Sequence, residues 1–366
     1  MILDTRLVEQ AVDLGERALF VKQLLLARGR VPIAMVRKRA AREGENDTPV
    51  DALALPTRAA VLLIHGYGQN RYAFHLPSRS FVNHLARAGF DVYNVDLRGR
   101  GRSAHLGAER PGTVLDFVHD DVPAALDVIE ALNPDVPVFL LGHSLGGIVS
   151  YCSAVEESRR VAGVVAMGAP YHFTAGSLWL TLVGAAFLAV DGRLDLPNLA
   201  VPARTYGWFV RRARPLVDSR IYPVPLRGFH RGSVEPQVLK EHMALAMDVG
   251  SISTMRGMFS WARQAKRGSS DDGLFGYERS FERLDKPLLV ISGRYDDLAP
   301  PKSVEPAFLR SHSTDKTYRE FPFGHVDMLV GREAPRLSWH LIEHWLRARS
   351  PALTEAVPSA STNALG

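Results

Sequence analysis

The chain has 366 residues and a mass of 40.3 kDa, a length that fits one large α/β domain with an insertion or two ordinary domains. Hydrophobic residues make up 46% and charged residues 23%, a composition that excludes wholesale disorder. The formal net charge is +5, and 37 of the 44 basic residues are arginine. Because this excess is small for the length, it indicates an arginine-rich background, and we predict no nucleic-acid partner.

Targeting and redox signals are sparse. Cys152 is the only cysteine, so an intramolecular disulfide is excluded. The first residues, Met1–Arg6, lack the basic-then-apolar pattern of a signal peptide. The longest apolar run, Leu178–Val190, is shorter than the roughly 20 residues needed to cross a bilayer. We therefore predict a cytoplasmic protein, with peripheral contact to a membrane or lipid left open and the oligomeric state unknown.

The N-terminal segment, residues 1–57, is predicted to be a helical extension followed by a linker. Its apolar residues recur at alternating spacings of four and three, as in an amphipathic helix over Asp4–Arg28. These positions are Leu7, Ala11, Leu14, Ala18, Val21 and Leu25. The basic stretch that begins at Arg37 and Lys38 is expected to lie in solvent.

From Ala59 the pattern changes to short apolar strands that alternate with amphipathic helices. Strands are predicted at 59–64, 90–95, 138–141, 161–167, 287–292 and 318–321, and helices at 78–88 and 116–132. Such alternation is typical of an α/β fold with a mostly parallel sheet and helices on both faces. Residues 58–170 and 284–349 would form this core.

The alternation stops between residues 171 and 283. This stretch is helical in pattern and rich in aromatic residues, so it is predicted to be a helical cap inserted between two strands, over the carboxyl edge of the sheet where ligands bind. Residues 350–366 are small and polar and are predicted to be a flexible tail.

One motif indicates chemistry directly. Gly142-His143-Ser144-Leu145-Gly146 follows a predicted strand and precedes a predicted helix, the context in which G-x-S-x-G forms a nucleophile elbow. The glycines permit a tight turn that exposes the Ser144 hydroxyl. The start of the helix supplies oriented N–H groups and a positive dipole end.

A serine hydroxyl needs a general base, and the base needs an acid that orients it. The chain offers both after later strands. Asp296 lies within the segment Gly293–Pro300, and His325 follows Gly324. The order Ser144, Asp296, His325 is that of an α/β serine hydrolase.

These motifs resemble the α/β-hydrolase superfamily over roughly residues 61–347. The family spacing G-x-x-D-x-x-x-P selects Asp296 as the acid, although its neighbour Asp297 remains an alternative. The segment His65-Gly66-Tyr67-Gly68 is similar to the family's oxyanion loop. The resemblance implies that the backbone N–H groups of Tyr67 and Leu145 form the oxyanion hole, with no metal and no cofactor.

Within the superfamily, the pattern is most similar to acid lipases and polyhydroxyalkanoate synthases. The segments that carry this likeness begin at Leu76, Asp121 and Gly324. Because those synthases use a cysteine nucleophile, a serine at position 144 favours hydrolysis over polymer synthesis.

The sequence thus predicts a serine esterase or lipase that acts on a small-molecule ester, with an apolar acyl group under the cap. Possible substrate contacts are His143, Trp179 and Phe173. An acyltransferase, thioesterase, lactonase or C–C hydrolase with the same triad is the alternative, and a non-catalytic binding protein is a third hypothesis. The motif His340-x-x-Glu343-His344 could bind zinc, but it lies in the expected last helix of the fold without a third ligand nearby.

Overall fold

The computed structural model describes residues 1–45, 47–217, 219, 227–267 and 281–353. Strands in these ranges, in chain order, are β1 (Ile2–Asp13), β2 (Glu16–Arg28), β3 (Pro32–Ala40), β4 (Ala60–Ile64), β5 (Asp91–Asp96), β6 (Val138–His143), β7 (Gly163–Met167), β8 (Ala200–Pro202), β9 (Val249–Ser251), β10 (Leu288–Gly293) and β11 (Lys316–Phe321).

The α-helices of the same ranges are α1 (Phe81–Arg87), α2 (Gly101–His105), α3 (Val122–Leu132), α4 (Leu145–Glu156), α5 (Leu178–Leu194), α6 (Ala203–Arg212), α7 (Arg214–Val217), α8 (Pro236–Glu241), α9 (Ile252–Arg267), α10 (Pro301–Arg310), α11 (Asp327–Val330) and α12 (His340–Arg347). Short 3₁₀ turns lie at Val50–Leu53 and Arg71–Ala73, and π-helical turns at Phe117–Asp121, His242–Ala246 and Pro335–Trp339. None of the described helices is both long and apolar enough to span a bilayer.

Within the described ranges, nine strands form one sheet in the order β1-β2-β3-β5-β4-β6-β7-β10-β11. The six strands from β5 to β11 in this order are parallel, whereas β1, β2 and β3 join antiparallel. Strands β4, β6, β7 and β10 are buried along their whole length, as expected for parallel strands covered on both faces. The α/β fold and the six strands predicted from Ala59 onward are therefore confirmed.

The helix predicted over Asp4–Arg28 is wrong. This segment is the hairpin of β1 and β2, closed by a two-residue turn in which Gly15 has a φ of +83°. Such a turn needs positive φ, which glycine adopts without strain. Strand β2 alternates with period two, and its buried side chains include Val21, Gln23, Leu25 and Ala27. Burial against the sheet thus overrides a helix-like spacing.

The basic stretch after the hairpin is also not in solvent, because it lies in β3 beside β5. Arg37 is 5% exposed and donates to Asp91, with 2.6 Å between Nη2 and Oδ2. Lys38 is fully buried and donates from Nζ to Asn83 Oδ1 at 2.7 Å. Burial lowers the pKa of Lys38 well below its ordinary value. These two basic side chains are tolerated in the core because each has hydrogen-bond partners there.

The segment between β7 and β10, here called the inserted segment, contains α5 to α9 and the small antiparallel sheet of β8 and β9. It meets the loop after β4, where the Asp248 N–H donates to Gly68 O at 2.7 Å. Helix α5 packs on α9, with Gly184 against the ring of Phe259. Residues 220–226 and 268–280 of this segment lie outside the described residues, as do residues 354–366 of the predicted tail.

Candidate active site

Ser144 stands in the sharp turn between β6 and α4. Its φ of 56° and ψ of −122° lie in a region that costs a non-glycine residue on the order of 1–3 kcal/mol. The turn is tight because a Cβ at Gly146 would overlap the Ile64 carbonyl, and a Cβ at Gly142 would overlap the Gly146 backbone. The backbone strain and the close packing together present this serine at the carboxyl end of the sheet.

Asp296 and His325 form a buried hydrogen-bonded pair at the same edge. His325 Nδ1 donates to Asp296 Oδ2 at 2.7 Å. The other carboxylate oxygen of Asp296 accepts the N–H groups of Leu298 and Ala299, at 2.9 and 2.7 Å. These contacts fix both the carboxylate and the imidazole tautomer. Since Asp296 follows β10 and His325 lies in the loop after β11, parallel strands bring them to the edge that carries Ser144.

Electrostatics at His325 favour the imidazolium. Burial alone lowers the pKa of His325, but the charge and hydrogen bond of Asp296 outweigh it, so the pKa is raised above its ordinary value. Asp297, the alternative acid, instead accepts the Arg227 N–H at 3.3 Å. The structure therefore places Asp296, and not Asp297, in direct contact with the imidazole.

The two residues whose N–H groups are predicted to form the oxyanion hole lie next to Ser144 in the chain or in the neighbouring loop. Leu145 begins α4, and Tyr67 lies in the loop after β4, where Gly66 packs on the serine. A Cβ built on Gly66 would lie 3.2 Å from Ser144 Cβ. Among the described residues, neither the Tyr67 nor the Leu145 N–H has an acceptor within the protein. Both N–H groups thus lack a protein acceptor among the described residues, as donors to an oxyanion would.

A cavity of about 500 Å³ opens over these groups, within the range of small-molecule sites. Ser144, His325, Tyr67 and Phe173 line it. The inserted segment contributes apolar side chains to its wall, including Val201, Met243, Met247, Met255, Met258 and Phe259. The cavity therefore combines a nucleophile and a base with mostly apolar walls.

Of the three predicted substrate contacts, only Phe173 lies in the cavity wall. Trp179 is on the outer face of α5, is 46% exposed and does not line the cavity, so its position does not fit the predicted role. His143 is fully buried behind the serine, and its Nε2 donates to His325 O at 2.9 Å. It contacts the base loop instead of the cavity.

Three polar side chains of the cavity wall were not predicted: Gln69, Arg227 and His242. Gln69 lies two residues beyond Tyr67, so the oxyanion-loop motif could have drawn attention to it. Arg227 and His242 belong to the inserted segment, where no motif marks them, and only the folded chain brings them to the site.

The other candidate motifs lie elsewhere. His340 is exposed, and Glu343 pairs with His84 at 2.8 Å. No group of three or more metal-ligating side chains occurs among the described residues. Cys152 is 4% exposed in α4, and burial raises the pKa of its thiol, as expected for a core residue.

Comparison with known proteins agrees with this fold. A family model described as serine aminopeptidase, S33, matches residues 56–229. A poly(3-hydroxyalkanoate) polymerase subunit, PhaC, of Haloferax mediterranei is 26% identical over 82% of this chain and 61% of its own length. A mouse monoglyceride lipase is 24% identical over 82% of this chain and 86% of its own length. The chain thus spans about three fifths of the polymerase subunit.

Among solved structures, a soluble variant of the monoglyceride lipase of Saccharomyces cerevisiae, in complex with a substrate analog, superimposes with a TM-score of 0.62. The two sequences are 16% identical, and the superposition covers 91% of this chain and 96% of the lipase chain. A monoacylglycerol lipase of Paleococcus ferrophilus gives a TM-score of 0.52 at 21% identity, over 81% of this chain and 96% of its own. At such identities the likeness shows the fold.

Proposed function

We propose that the chain is a serine hydrolase of the α/β-hydrolase superfamily, and that it cleaves carboxylic esters with Ser144, His325 and Asp296. The observation that carries the proposal is the hydrogen-bonded Asp296–His325 pair, whose histidine lines the same apolar cavity as a serine held in a strained elbow. The names of the relatives, lipases and a polyester polymerase subunit, are consistent with acyl chemistry.

The reaction follows from these positions. Ser144 Oγ attacks the ester carbonyl carbon while His325 takes the hydroxyl proton, and Asp296 stabilises the imidazolium that forms. The N–H groups of Tyr67 and Leu145 bind the oxyanion of the tetrahedral intermediate. His325 then returns the proton to the departing alcohol, which leaves an acyl group on Ser144.

Water completes the cycle. His325 removes a proton from a water molecule as the water oxygen attacks the acyl carbonyl. When the second tetrahedral intermediate collapses, the bond to Ser144 Oγ breaks, His325 returns the proton to Oγ, and the acid is released. Every step uses side chains and backbone groups of the chain itself.

The cavity favours an ester with an extended apolar acyl group and a small alcohol. Four methionines and Phe259 line its wall, and flexible thioether side chains adapt to different chain lengths. A monoacylglycerol fits this description, and two similar proteins are monoglyceride lipases. In this proposal the inserted segment is the cap, residues 171–283, that covers the acyl group on Ser144.

The outer surface of the cap fits a lipid interface. Leu178 and Leu182 of α5 are 75% and 56% exposed, and no charged side chain interrupts the helix before Asp191. Trp208 of α6 is also exposed, beside the exposed cations Arg211 and Arg212. Apolar side chains with flanking arginines are typical of segments that lie on anionic membranes, and we include peripheral lipid contact in the proposal.

The direct test is a panel of p-nitrophenyl esters from acetyl to palmitoyl, measured on the wild type and on Ser144→Ala. We expect hydrolysis by the wild type, and a loss of kcat by roughly 10⁶-fold in the variant, as when a serine nucleophile is removed. Equal rates for both proteins would contradict the assignment of Ser144.

Reaction with a fluorophosphonate separates the alternatives. Labelling of Ser144 without hydrolysis of any ester would favour transfer to another acceptor, the chemistry in the name of the polymerase relative. Absence of both hydrolysis and labelling would favour a non-catalytic binding protein.

A further inference from the structure

The loop that carries the Tyr67 N–H is bound to the inserted segment over several residues. Asn70 N donates to Ala246 O at 3.1 Å, and Asp248 N donates to Gly68 O at 2.7 Å. The Tyr67 hydroxyl also donates to a backbone carbonyl of the inserted segment, at 3.2 Å. The position of this loop therefore depends on contacts outside the sheet.

Within this contact, the Gln69 side chain has only one consistent orientation. The atom that faces the Gly66 N–H, at 3.2 Å, must be an acceptor and is therefore Oε1. The amide nitrogen then faces His242 Nε2 at 3.4 Å. Gln69 is 5% exposed and His242 is fully buried, so water does not compete freely for either side chain.

His242 can serve as the acceptor in this chain of contacts. Burial lowers the pKa of His242 to about 4, so the ring is neutral near pH 7. A neutral imidazole has one acceptor nitrogen, and the Gln69 amide requires that it be Nε2. Hydrogen-bond donation thus runs in one direction, from the Gly66 N–H of the loop through the Gln69 amide to His242 of the inserted segment.

Gly66 transmits this support to the reacting groups. A Cβ built on it would lie 2.9 Å from Gln69 Oε1 and 3.2 Å from Ser144 Cβ. The residue is therefore held between the Gln69 amide and the nucleophile, and the next N–H along the chain is that of Tyr67. A shift of the Gly66 amide plane would move this donor relative to Ser144.

We propose that Gln69 and His242 are positioning residues that fix the Tyr67 N–H in the oxyanion hole. The inference rests on the proposed ester hydrolysis, and it adds that a residue of the inserted segment controls the stabilisation of the transition state. Neither side chain takes part in bond making. They act on the donor through Gly66.

The test compares Gln69→Ala, His242→Ala and the double variant in steady-state ester hydrolysis. Loss of one oxyanion donor costs about 100- to 1,000-fold in kcat, so a misplaced donor should cost about 10- to 100-fold with KM changed less than about threefold. Because both residues act through one series of contacts, the double variant should lose no more than the worse single variant. Gln237→Ala and His340→Ala, at exposed positions, are matched controls expected to retain wild-type kcat.

Two further variants separate positioning from folding. In His242→Gln the side-chain oxygen reaches the place of Nε2, so kcat should recover to within about threefold of the wild type. In His242→Asn the shorter side chain does not reach, so kcat should stay low at equal thermal stability. Additive losses, an effect confined to KM or equal activity of these two variants would overturn the inference.

Failure of the proposed function would look different. A wild-type protein that hydrolyses no ester would refute that function, and with it the basis of this inference. An active wild type with unchanged kcat in Gln69→Ala would refute the positioning role alone.

Discussion

Asp296 is the residue that sets the protonation of the proposed base. Its carboxylate receives one hydrogen bond from His325 and two from backbone N–H groups, so it is held in place beside the imidazole. Without that charge, burial would be the main influence on His325 and would lower the pKa of the imidazole.

The substitution Asp296→Asn tests this dependence. His325 accepts a proton only when it is neutral, so wild-type kcat/KM should fall on the acid side with a pKa above the ordinary 6.5. In the variant we expect kcat to drop by about 10⁴-fold and the acid limb to move to lower pH. The measurement is the pH profile of kcat/KM. Asp297→Asn, which removes a weaker influence on the pKa of His325, is the control. An acid limb that does not move in Asp296→Asn would contradict the assignment of Asp296 as the acid.

At the scale of single residues, the sequence predicts the catalytic side chains but not the residues that position them. Ser144, Asp296 and His325 were predicted because nucleophilic catalysis restricts the residue types and because strand ends place them together. His242 was not, since its relation to Gln69 arises only when the inserted segment packs on the loop after β4. No local pattern encodes a contact between residues 173 positions apart.

Among the elements, buried strands were predicted well and the N-terminal segment was not. The runs at β4, β6, β7 and β10 are continuous and apolar, and no amphipathic helix has that pattern. The sequence of β1 and β2 fits periods of both 3.6 and 2. Two features decide in favour of the hairpin: the glycine at the turn and the pairing of β3 with β5. The glycine is visible in the sequence, whereas the strand pairing requires the tertiary fold.

Helix α5 is the element whose outer face makes a measurable prediction about lipid. The double variant Leu178→Glu/Leu182→Glu removes two exposed leucines. Full burial of one leucine side chain in a bilayer is favourable by about 1.5–3 kcal/mol. We expect binding to anionic phospholipid vesicles to weaken at least tenfold, because about 1.4 kcal/mol corresponds to a factor of ten. Co-sedimentation measures the binding, and hydrolysis of p-nitrophenyl acetate should stay unchanged.

Leu309→Glu is the matched control for that variant. Leu309 is 62% exposed, but it lies on α10, which follows β10 and is not part of the inserted segment. Its substitution should leave vesicle binding at the wild-type level. Equal weakening in both proteins, or no binding of the wild type to any vesicle, would contradict a lipid-binding role of α5.

At the scale of the whole molecule, one buried arginine connects three separate parts of the chain. Arg79 is 2% exposed and donates to Asp13 of β1 at 2.6 Å and to Glu235 of the inserted segment at 2.8 Å. It also donates to the carbonyls of Val330 and Gly331, at 3.0 and 3.1 Å, just beyond the loop of His325. The N-terminal hairpin, the inserted segment and the base loop thus share one guanidinium.

Arg79→Ala should therefore destabilise the whole fold, by about 3–5 kcal/mol, because it leaves buried acceptors without their partner. Arg79→Lys should recover less than half of this loss, since an ammonium cannot reproduce the planar fork of five donors. Arg336→Ala, which removes an exposed pair with Glu333, is the control and should change stability by at most about 0.5 kcal/mol. Urea unfolding followed by circular dichroism measures the midpoint and slope for each protein. If Arg79→Ala kept the wild-type midpoint, the shared guanidinium would not hold these parts together, and their packing alone would have to account for the position of the base loop.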